Sequence, residues 1–399
     1  MSEASAYASE RPSRFTSAAV VHSPMADEMA DPDARESGSY VVRQYDPDDR
    51  AGVLALYETV FGDRRGRGEW FDWKFGDNPY LSHVPICVAE RDGEVVGARP
   101  SLPVPLSVGG TRELALVQVD PMVHPDHRRQ GLFTRMAKHV YDYYGPREPS
   151  IVVGFPNEAV KAGLEKLADK LSLRDGVLTN FTEHYRVQNP QALSDSPVAS
   201  AALPAIRGYL AGRDRMTSRA PDSVIDRYDD LRPAMLADIA ATQRTASAHA
   251  VRDETFLAWR FLNPRYEYTT YVYRGEYGPV AMVVGEQRKT DQTIVHLSDV
   301  LPVAGGTARE RALSVLLGRI IDEHRDADVI VAAGTTLPRS LLADHGFLPT
   351  DRFPLSRLTS EYWFSARPIG GSGGDWTVNG RRLAEEGSWN LSFCELEIG

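Results

Sequence analysis

The sequence predicts a mixed α/β fold made of two similar domains. One observation is a predicted apolar strand at residues 114–123, which runs through a short basic turn into an amphipathic helix that Gly145 and Pro146 end. The other is an aromatic motif at residues 73–79, Trp-Lys-Phe and then Asn-Pro, which recurs as Trp-Arg-Phe and Asn-Pro at residues 259–264. Similarity in a fixed order at this separation indicates a duplicated domain and not a solenoid repeat.

Composition excludes several classes of protein. A chain of 399 residues, 42% hydrophobic and 25% charged, is long enough for two hydrophobic cores, and its net charge of −10 argues against a general binder of nucleic acid or anionic membranes. No apolar run is long enough to predict a transmembrane helix. Cys87 and Cys394 match no metal spacing, so we expect no metal site and a reduced, cytoplasmic environment.

The elements of the first domain follow in chain order. A first strand leads into a helix that Asp46 caps and Pro47 begins. A hairpin at residues 86–97 precedes the apolar stretch, and a buried strand at residues 150–155 precedes a further helix that Asn157 opens.

The second domain repeats this order without the basic turn, because Gly305 and Gly306 stand where the first domain has its arginines. We therefore expect the second domain to lack the ligand-binding role that the basic turn indicates for the first domain. Its expected roles are to shape a substrate cleft, to cover the sheet of the first domain or to form a homodimer. The predicted divisions are a disordered tail (1–38), the first domain (39–190), a linker with one short helix (191–222), the second domain (223–366), and a Gly-rich joint with a C-terminal edge strand (367–399).

The basic turn has the composition of an anion site. The first turn of a helix presents unpaired N–H groups and the positive end of the helix dipole, which attract phosphate. Gly131 allows close approach to the backbone, and Arg128 and Arg129 add positive charge. The alternative is an ordinary strand-to-helix turn with two solvated arginines.

The turn also carries a family pattern. The run Val123-x-Pro125-x-x-Arg128-x-x-Gly131-x-Phe133 closely resembles the acetyl-CoA signature of the GNAT superfamily of N-acetyltransferases, V-x-P-x-x-R/Q-x-x-G-x-G/A, and departs from it only where Phe133 replaces a small residue. The resemblance covers roughly residues 39–190. It implies two GNAT-like domains, each with a mixed, mostly antiparallel central sheet flanked by helices, of which only the first binds acetyl-CoA.

The resemblance also implies binding roles. The pantetheine arm is expected to pair with the backbone of Met122 and Val123, one of whose N–H groups faces the thioester oxygen. The pyrophosphate is expected on the backbone N–H groups of the turn, which belong to Arg128, Arg129, Gln130, Gly131, Leu132 and Phe133.

The catalytic groups are less well defined. Family members often carry a glutamate and a tyrosine at positions that correspond here to Val117 and Leu164. Of the nearest polar side chains, Gln118 and Asp120, we expect Asp120 to act as the base, directly or through a water, or else only to form the turn. Asn157 either caps its helix or bonds the CoA arm.

Three functions fit the sequence. The first is an acetyl-CoA-dependent N-acetyltransferase that acts on a small amine such as an amino sugar or an amino-acid derivative. The second is a Fem-type aminoacyl-tRNA-dependent peptidyltransferase, which the intact CoA turn and the acidic charge disfavour. The third is a CoA-binding regulatory protein that has lost its catalytic groups, which Val117 and Leu164 favour.

Overall fold

The computed structural model describes residues 40–62, 68–173, 176–189, 197–216, 224–289, 292–370 and 376–396. The predicted N-terminal tail, residues 63–67 of a basic, Gly-containing loop, and residues 371–375 of the predicted Gly-rich joint lie outside the described residues.

The elements confirm a mixed α/β fold. The helices are α1 (Arg50–Phe61), α2 (Gly68–Phe71), α3 (Leu132–Tyr144), α4 (Glu158–Lys170), α5 (Pro197–Met216), α6 (Pro233–Ala241), α7 (Glu254–Arg260), α8 (Thr307–Glu323) and α9 (Arg339–Asp344). The strands are β1 (Val41–Gln44), β2 (Ile86–Arg91), β3 (Glu94–Val108), β4 (Thr111–Gln118), β5 (Met122–Val123), β6 (Ile151–Gly154), β7 (Val177–Phe181), β8 (Glu183–Val187), β9 (Ile225–Tyr228), β10 (His249–Ala250), β11 (Glu267–Tyr273), β12 (Val280–Lys289), β13 (Gln292–Leu301), β14 (Val329–Ala333), β15 (Leu348–Pro349), β16 (Tyr362–Pro368), β17 (Thr377–Val378) and β18 (Arg381–Arg382).

Two mixed sheets organise the molecule. The first runs in the order β1-β2-β3-β4-β6-β16-β7, and the second in the order β15-β8-β14-β13-β12-β11-β9. In each sheet one central pair is parallel, β4 with β6 and β13 with β14, while the other pairs are antiparallel. The same arrangement in both sheets agrees with the predicted duplication.

The two sheets exchange strands. β8 follows the first sheet in sequence but pairs with β14 of the second, and β16 follows the second sheet but lies between β6 and β7 of the first. The predicted domain boundaries at residues 190 and 366 therefore do not separate the strands of one sheet from those of the other. Because each sheet needs a strand from the other half of the chain to satisfy its central hydrogen bonds, the halves are mutually dependent.

Three sequence predictions need correction. The apolar stretch at residues 114–123 is not one strand, because β4 ends at Gln118 and β5 begins at Met122. The predicted linker contains the 20-residue helix α5 and not a short helix. The tail at residues 389–393 is not an edge strand: Trp389 makes an isolated bridge to Ala248, and the following residues turn inward and are buried.

The repeated aromatic motif joins the halves. Trp73 Nε1 donates to the Trp259 carbonyl oxygen and Trp259 Nε1 donates to the Trp73 carbonyl oxygen, both at 2.9 Å. The two indole rings stack with centroids 5.9 Å apart and planes 15° apart. The two copies thus meet across a local pseudo-twofold axis in the common core.

Candidate acyl-CoA site

A wedge-shaped cleft opens where two parallel strands part. β4 and β6 pair from Ala115 and Ile151 up to Gln118 and Gly154, and the pairing ends there. Beyond that point β4 continues toward β5, while β6 continues toward Asn157, whose backbone bridges to Tyr362 on the far side. In the part of the chain that the structure describes, no strand pairs with the backbone that lines this cleft.

A bulge at Asp120 lies between β4 and β5, which both pair with β3. The wall of the cleft that β5 forms therefore stays attached to β3. Asp120 has a φ of +40°, in the left-handed region, and Pro121 has no N–H to place in the ladder. The Val119 N–H still donates to the Pro100 oxygen at 3.2 Å, and pairing with β3 resumes at β5. This bulge is the reason that the predicted continuous strand is broken.

The register of β5 decides which predicted backbone donor faces the cleft. The His124 N–H donates to the Val96 oxygen at 2.8 Å. Because hydrogen-bonding residues alternate along an antiparallel strand, Met122 also directs its N–H toward β3, and Val123 directs its N–H away from β3 toward the cleft. Of the two residues predicted for the pantetheine arm, Val123 is the one with an outward-facing donor.

The basic turn leads directly into α3. After a 3₁₀ turn at Pro125–His127, Arg129 has a φ of +61° and Gly131 a φ of +66°, so the chain reverses sharply before Leu132. Gly131 occupies the N-cap position, and no side chain caps this 13-residue helix. The first turn of α3 therefore presents its N–H groups and the positive end of the helix dipole.

The remaining turn residues frame this first turn. Arg129 is exposed, Arg128 and Gln130 are half-buried, and Leu132 and Phe133 are buried against the sheet and α4. Phe133 occupies the position where the signature has a small residue, and its ring points away from the turn into the contact between α3 and α4. The larger side chain therefore does not fill the turn itself.

Asn157 takes one of its two predicted roles. Its side chain accepts a hydrogen bond from the Val160 N–H at 3.0 Å, which caps α4. A contact with the CoA arm stays a prediction.

The predicted catalytic residues point to opposite faces of the sheet. Gln118 donates through Nε2 to the Ser101 Oγ at 2.6 Å, on the face covered by α3. Asp120 turns to the other face because of the bulge, and its Oδ2 lies 3.1 Å from the Lys74 Nζ and 3.4 Å from the Tyr57 hydroxyl of α1. The structure therefore does not bring Gln118 and Asp120 together.

Lys74 is the site residue that the sequence analysis missed. Its side chain is 0% exposed, its ammonium lies 4.5 Å from the centre of the Trp70 ring, and it pairs with Asp120, whose side chain is 5% exposed. Because this ammonium is fully buried, the Asp120 carboxylate supplies its counter-charge. The available signal was the basic residue retained in both copies of the aromatic motif, Lys74 and Arg260.

The equivalent cleft of the second sheet is filled by the chain itself. The buried Arg309 guanidinium donates from Nε to the Pro302 oxygen at 2.6 Å and from Nη2 to the Thr336 oxygen at 3.0 Å, which joins the two walls. The C-terminal segment enters the same space, where the Leu391 oxygen accepts from the Thr335 N–H at 2.7 Å. These contacts occupy the backbone groups between the two walls of the second cleft.

Within the described part of the chain, no group of His, Cys, Asp and Glu side chains has the arrangement of a metal site, and both cysteines are free and buried. No helix in the same residues is long and apolar enough to cross a membrane.

Comparisons with known proteins agree with this geometry. Residues 41–162 match the family model described as an acetyltransferase (GNAT) domain. No curated protein matches the chain in sequence.

Solved structures resemble the chain over most of its length. A GCN5-related N-acetyltransferase from Anabaena variabilis has a TM-score of 0.54 at 12% identity, covering 83% of this chain and 73% of that chain. Saccharomyces cerevisiae N-myristoyltransferase with bound myristoyl-CoA has a TM-score of 0.55 at 12% identity, covering 89% of each chain. A tandem GNAT protein from the clavulanic acid biosynthesis pathway has a TM-score of 0.50 at 14% identity, covering 84% of this chain and 99% of that chain. The chain therefore has the GNAT fold, and its residues 41–162 match the family model of the GNAT acetyltransferase domain.

Proposed function

We propose that this protein is an acetyl-CoA-dependent N-acetyltransferase that acetylates the amine of a small molecule by direct transfer in a ternary complex. The observation that carries the proposal is the uncapped first turn of α3, which follows a basic turn at the mouth of the cleft between β5 and β6. This first turn offers the pyrophosphate its N–H groups, and Arg128 and Arg129 add charge.

The reaction needs few further groups. The neutral amine attacks the thioester carbonyl carbon, the C–N bond forms, and the C–S bond breaks. The Val123 N–H, which faces the cleft, is placed to donate to the oxygen as negative charge develops there. The attacking amine loses one proton and the CoA thiolate gains one.

Asp120 is our proposed proton acceptor, through a water. Its side chain is buried beside Lys74, while the residue as a whole is half-buried at the bulge that edges the cleft. The acceptor amine then approaches from the face of the sheet that α1 covers. A small amine fits this proposal, and a homodimer and a cytoplasmic location remain predictions.

A CoA-binding regulatory protein is the second candidate. Val117 is 2% exposed, and Leu164 packs between α3 and α4. The positions at which family members often hold acid–base groups are therefore part of the core. Binding of acetyl-CoA without turnover of any amine would favour this candidate.

The test is a free-thiol assay with acetyl-CoA and pools of small amines, combined with calorimetry. Arg128→Glu places like charge beside the pyrophosphate and is expected to weaken acetyl-CoA binding by about tenfold or more. The matched control is Lys138→Glu, which makes the same charge change on an exposed side chain of α3, where Lys138 pairs with Asp142. Equal effects of the two substitutions would contradict the assigned turn.

A further inference from the structure

Arg99 of β3 is a buried cation that has no counter-charge among the residues that the structure describes. It is 4% exposed, and its guanidinium carbon lies 4.7 Å from the centre of the Phe133 ring in the first turn of α3. Within the described residues its Nη1 is buried with no hydrogen-bond partner, and no carboxylate forms an ion pair with it. Buried charges are normally paired, because an unpaired one loses its hydration without compensation.

The nearby titratable groups do not supply the missing negative charge. Burial raises the pKa of the Cys87 thiol to about 12 and also raises the pKa of the Tyr141 hydroxyl, so both are neutral. Burial lowers the pKa of Arg99 itself only to about 10, so it stays cationic at neutral pH. An anion that completes this site has to come from outside the described residues.

The position of Arg99 assigns it to the acyl end of the cleft. Arg99 lies on β3 at the level of the Asp120 bulge, between Ala98, which pairs with Met122, and Ser101, which pairs with Gln118. The predicted pyrophosphate site is the backbone of the turn that precedes α3, past β5, whereas Arg99 contacts the ring of Phe133, which lies in the contact between α3 and α4. An acyl-CoA molecule bound with its pyrophosphate at the turn would place its thioester beside the bulge and its acyl group toward Gln118.

The end of the cleft near Gln118 is polar as well. Ser101 is two residues from Arg99 on the same strand and therefore on the same face. It binds Gln118 Nε2, while the Gln118 Oε1 is buried with no hydrogen-bond partner. An acetyl methyl group needs none of these polar atoms, whereas a longer acyl group with a polar end would satisfy them.

We propose that the site also takes acyl-CoA donors whose acyl group ends in a carboxylate, and that Arg99 binds this carboxylate. The inference rests on the proposed function and extends its donor class. In the transfer the amine nitrogen bonds to the thioester carbon, the C–S bond breaks, and the terminal carboxylate stays ionised and unchanged. The product is an amide that carries one more negative charge than the acetyl product.

The test compares two donors of equal carbon number by calorimetry, with succinyl-CoA carrying the carboxylate and butyryl-CoA lacking it. The wild-type protein is expected to bind succinyl-CoA about tenfold or more tightly than butyryl-CoA. Arg99→Gln is expected to abolish this preference and to leave the affinity for free CoA nearly unchanged. The control Arg112→Gln, at an exposed arginine paired with Asp253, should retain the preference.

Each outcome decides the question. Equal or weaker binding of succinyl-CoA by the wild-type protein overturns the inference without any variant, and so does a preference that survives in Arg99→Gln. A uniform loss of affinity for all CoA compounds in a folded Arg99→Gln protein would assign Arg99 to the CoA body instead, and would overturn it too. If no CoA compound binds the wild-type protein, the proposed function itself fails.

Discussion

Asp120 has a structural task that is separable from its proposed catalytic task. Its carboxylate compensates Lys74, which is completely buried against Trp70, and its left-handed backbone forms the bulge at the cleft. Removing one partner of a buried ion pair leaves the other charge unpaired, which costs about 3–5 kcal/mol, whereas replacing both partners by apolar or neutral groups often costs little.

A double-mutant cycle separates the two tasks. Asp120→Asn and Lys74→Met are each expected to lower the free energy of unfolding by about 3–5 kcal/mol, and the double variant is expected to recover most of that loss. Denaturant unfolding measures the cycle.

The same cycle addresses catalysis. If Asp120 accepts the amine proton, kcat falls by about 10²–10⁴ in Asp120→Asn and stays low in the stable double variant, and raising the pH partly restores it because more of the acceptor is neutral. Activity that returns together with stability would make Asp120 a structural residue only.

The sequence contained the members of this pair but not their contact. Asp120 was predicted from its position beside the signature, whereas Lys74 is 46 residues away and lies within an aromatic motif that reads as core. A side chain that crosses from one element to another has no signature in local periodicity. Arg99 is a similar case, because a single arginine in an apolar strand does not show which way it points.

At the scale of elements, the turn into α3 depends on one glycine. Gly131 has a φ of +66° at the N-cap, a backbone conformation that costs a residue with a Cβ about 1–2 kcal/mol. Gly318 lies in the interior of α8, and a Cβ added there meets no atom within 4 Å. A residue with a Cβ is therefore unfavourable at position 131 and tolerated at position 318.

The same substitution should change stability in opposite directions at these positions. Gly131→Ala is expected to lower the free energy of unfolding by about 1–2 kcal/mol and to weaken acetyl-CoA binding, because the N–H groups of the turn are displaced. Gly318→Ala should raise the free energy of unfolding by up to about 1 kcal/mol through helix propensity and leave binding unchanged. Thermal unfolding with and without acetyl-CoA measures both, and a tolerated Gly131→Ala would show that the turn adopts another conformation.

Local patterns predicted α3 well because its apolar stripe and its flanking glycines are contiguous in sequence. The same approach correctly predicted the hairpin at residues 86–97, which β2 and the beginning of β3 form. It failed for the C-terminal tail, where Trp389, Leu391 and Phe393 alternate as in a strand but are buried through turns and side-chain contacts. Alternation indicates burial on one side and does not establish a pairing partner.

At the scale of the molecule, the exchange of β8 and β16 makes the halves one cooperative unit. Strand pairing between residues of distant parts of the chain leaves no local signal, which explains why the sequence predicted the duplication but not the exchange. The reciprocal bonds of Trp73 and Trp259 add a second link between the halves.

Three buried histidines in or near the second sheet predict that acid destabilises the protein. Burial lowers the pKa of His184 and His345 to about 4 and that of His296 to about 3, from 6.5. Their folded-state pKa values lie below the unfolded value, so their contribution is fully present above pH 6.5 and is lost as the pH falls toward 4. Each histidine contributes at most about 1.4 kcal/mol per pH unit in this window.

Replacing one of these rings should reduce that slope. In His296→Phe an aromatic ring is kept between Tyr266 and Phe393 while the titrating group is removed. Between pH 7 and pH 4 the free energy of unfolding should then depend less steeply on pH. The smaller slope corresponds to the uptake of up to one proton fewer on unfolding than in the wild-type protein. An unchanged slope would show that His296 is not protonated on unfolding in this range.

The duplication also makes the central claim measurable. The first cleft has an uncapped helix start and an outward-facing Val123 N–H, whereas the second is closed by Arg309 and the Leu391 segment. Calorimetric titration with acetyl-CoA is the most direct test, and it should give one site per chain. Gly131→Glu, with its folding checked by circular dichroism, should remove that site, because a carboxylate would occupy the pyrophosphate position. Two equivalent sites per chain, or one site that survives Gly131→Glu, would contradict the account.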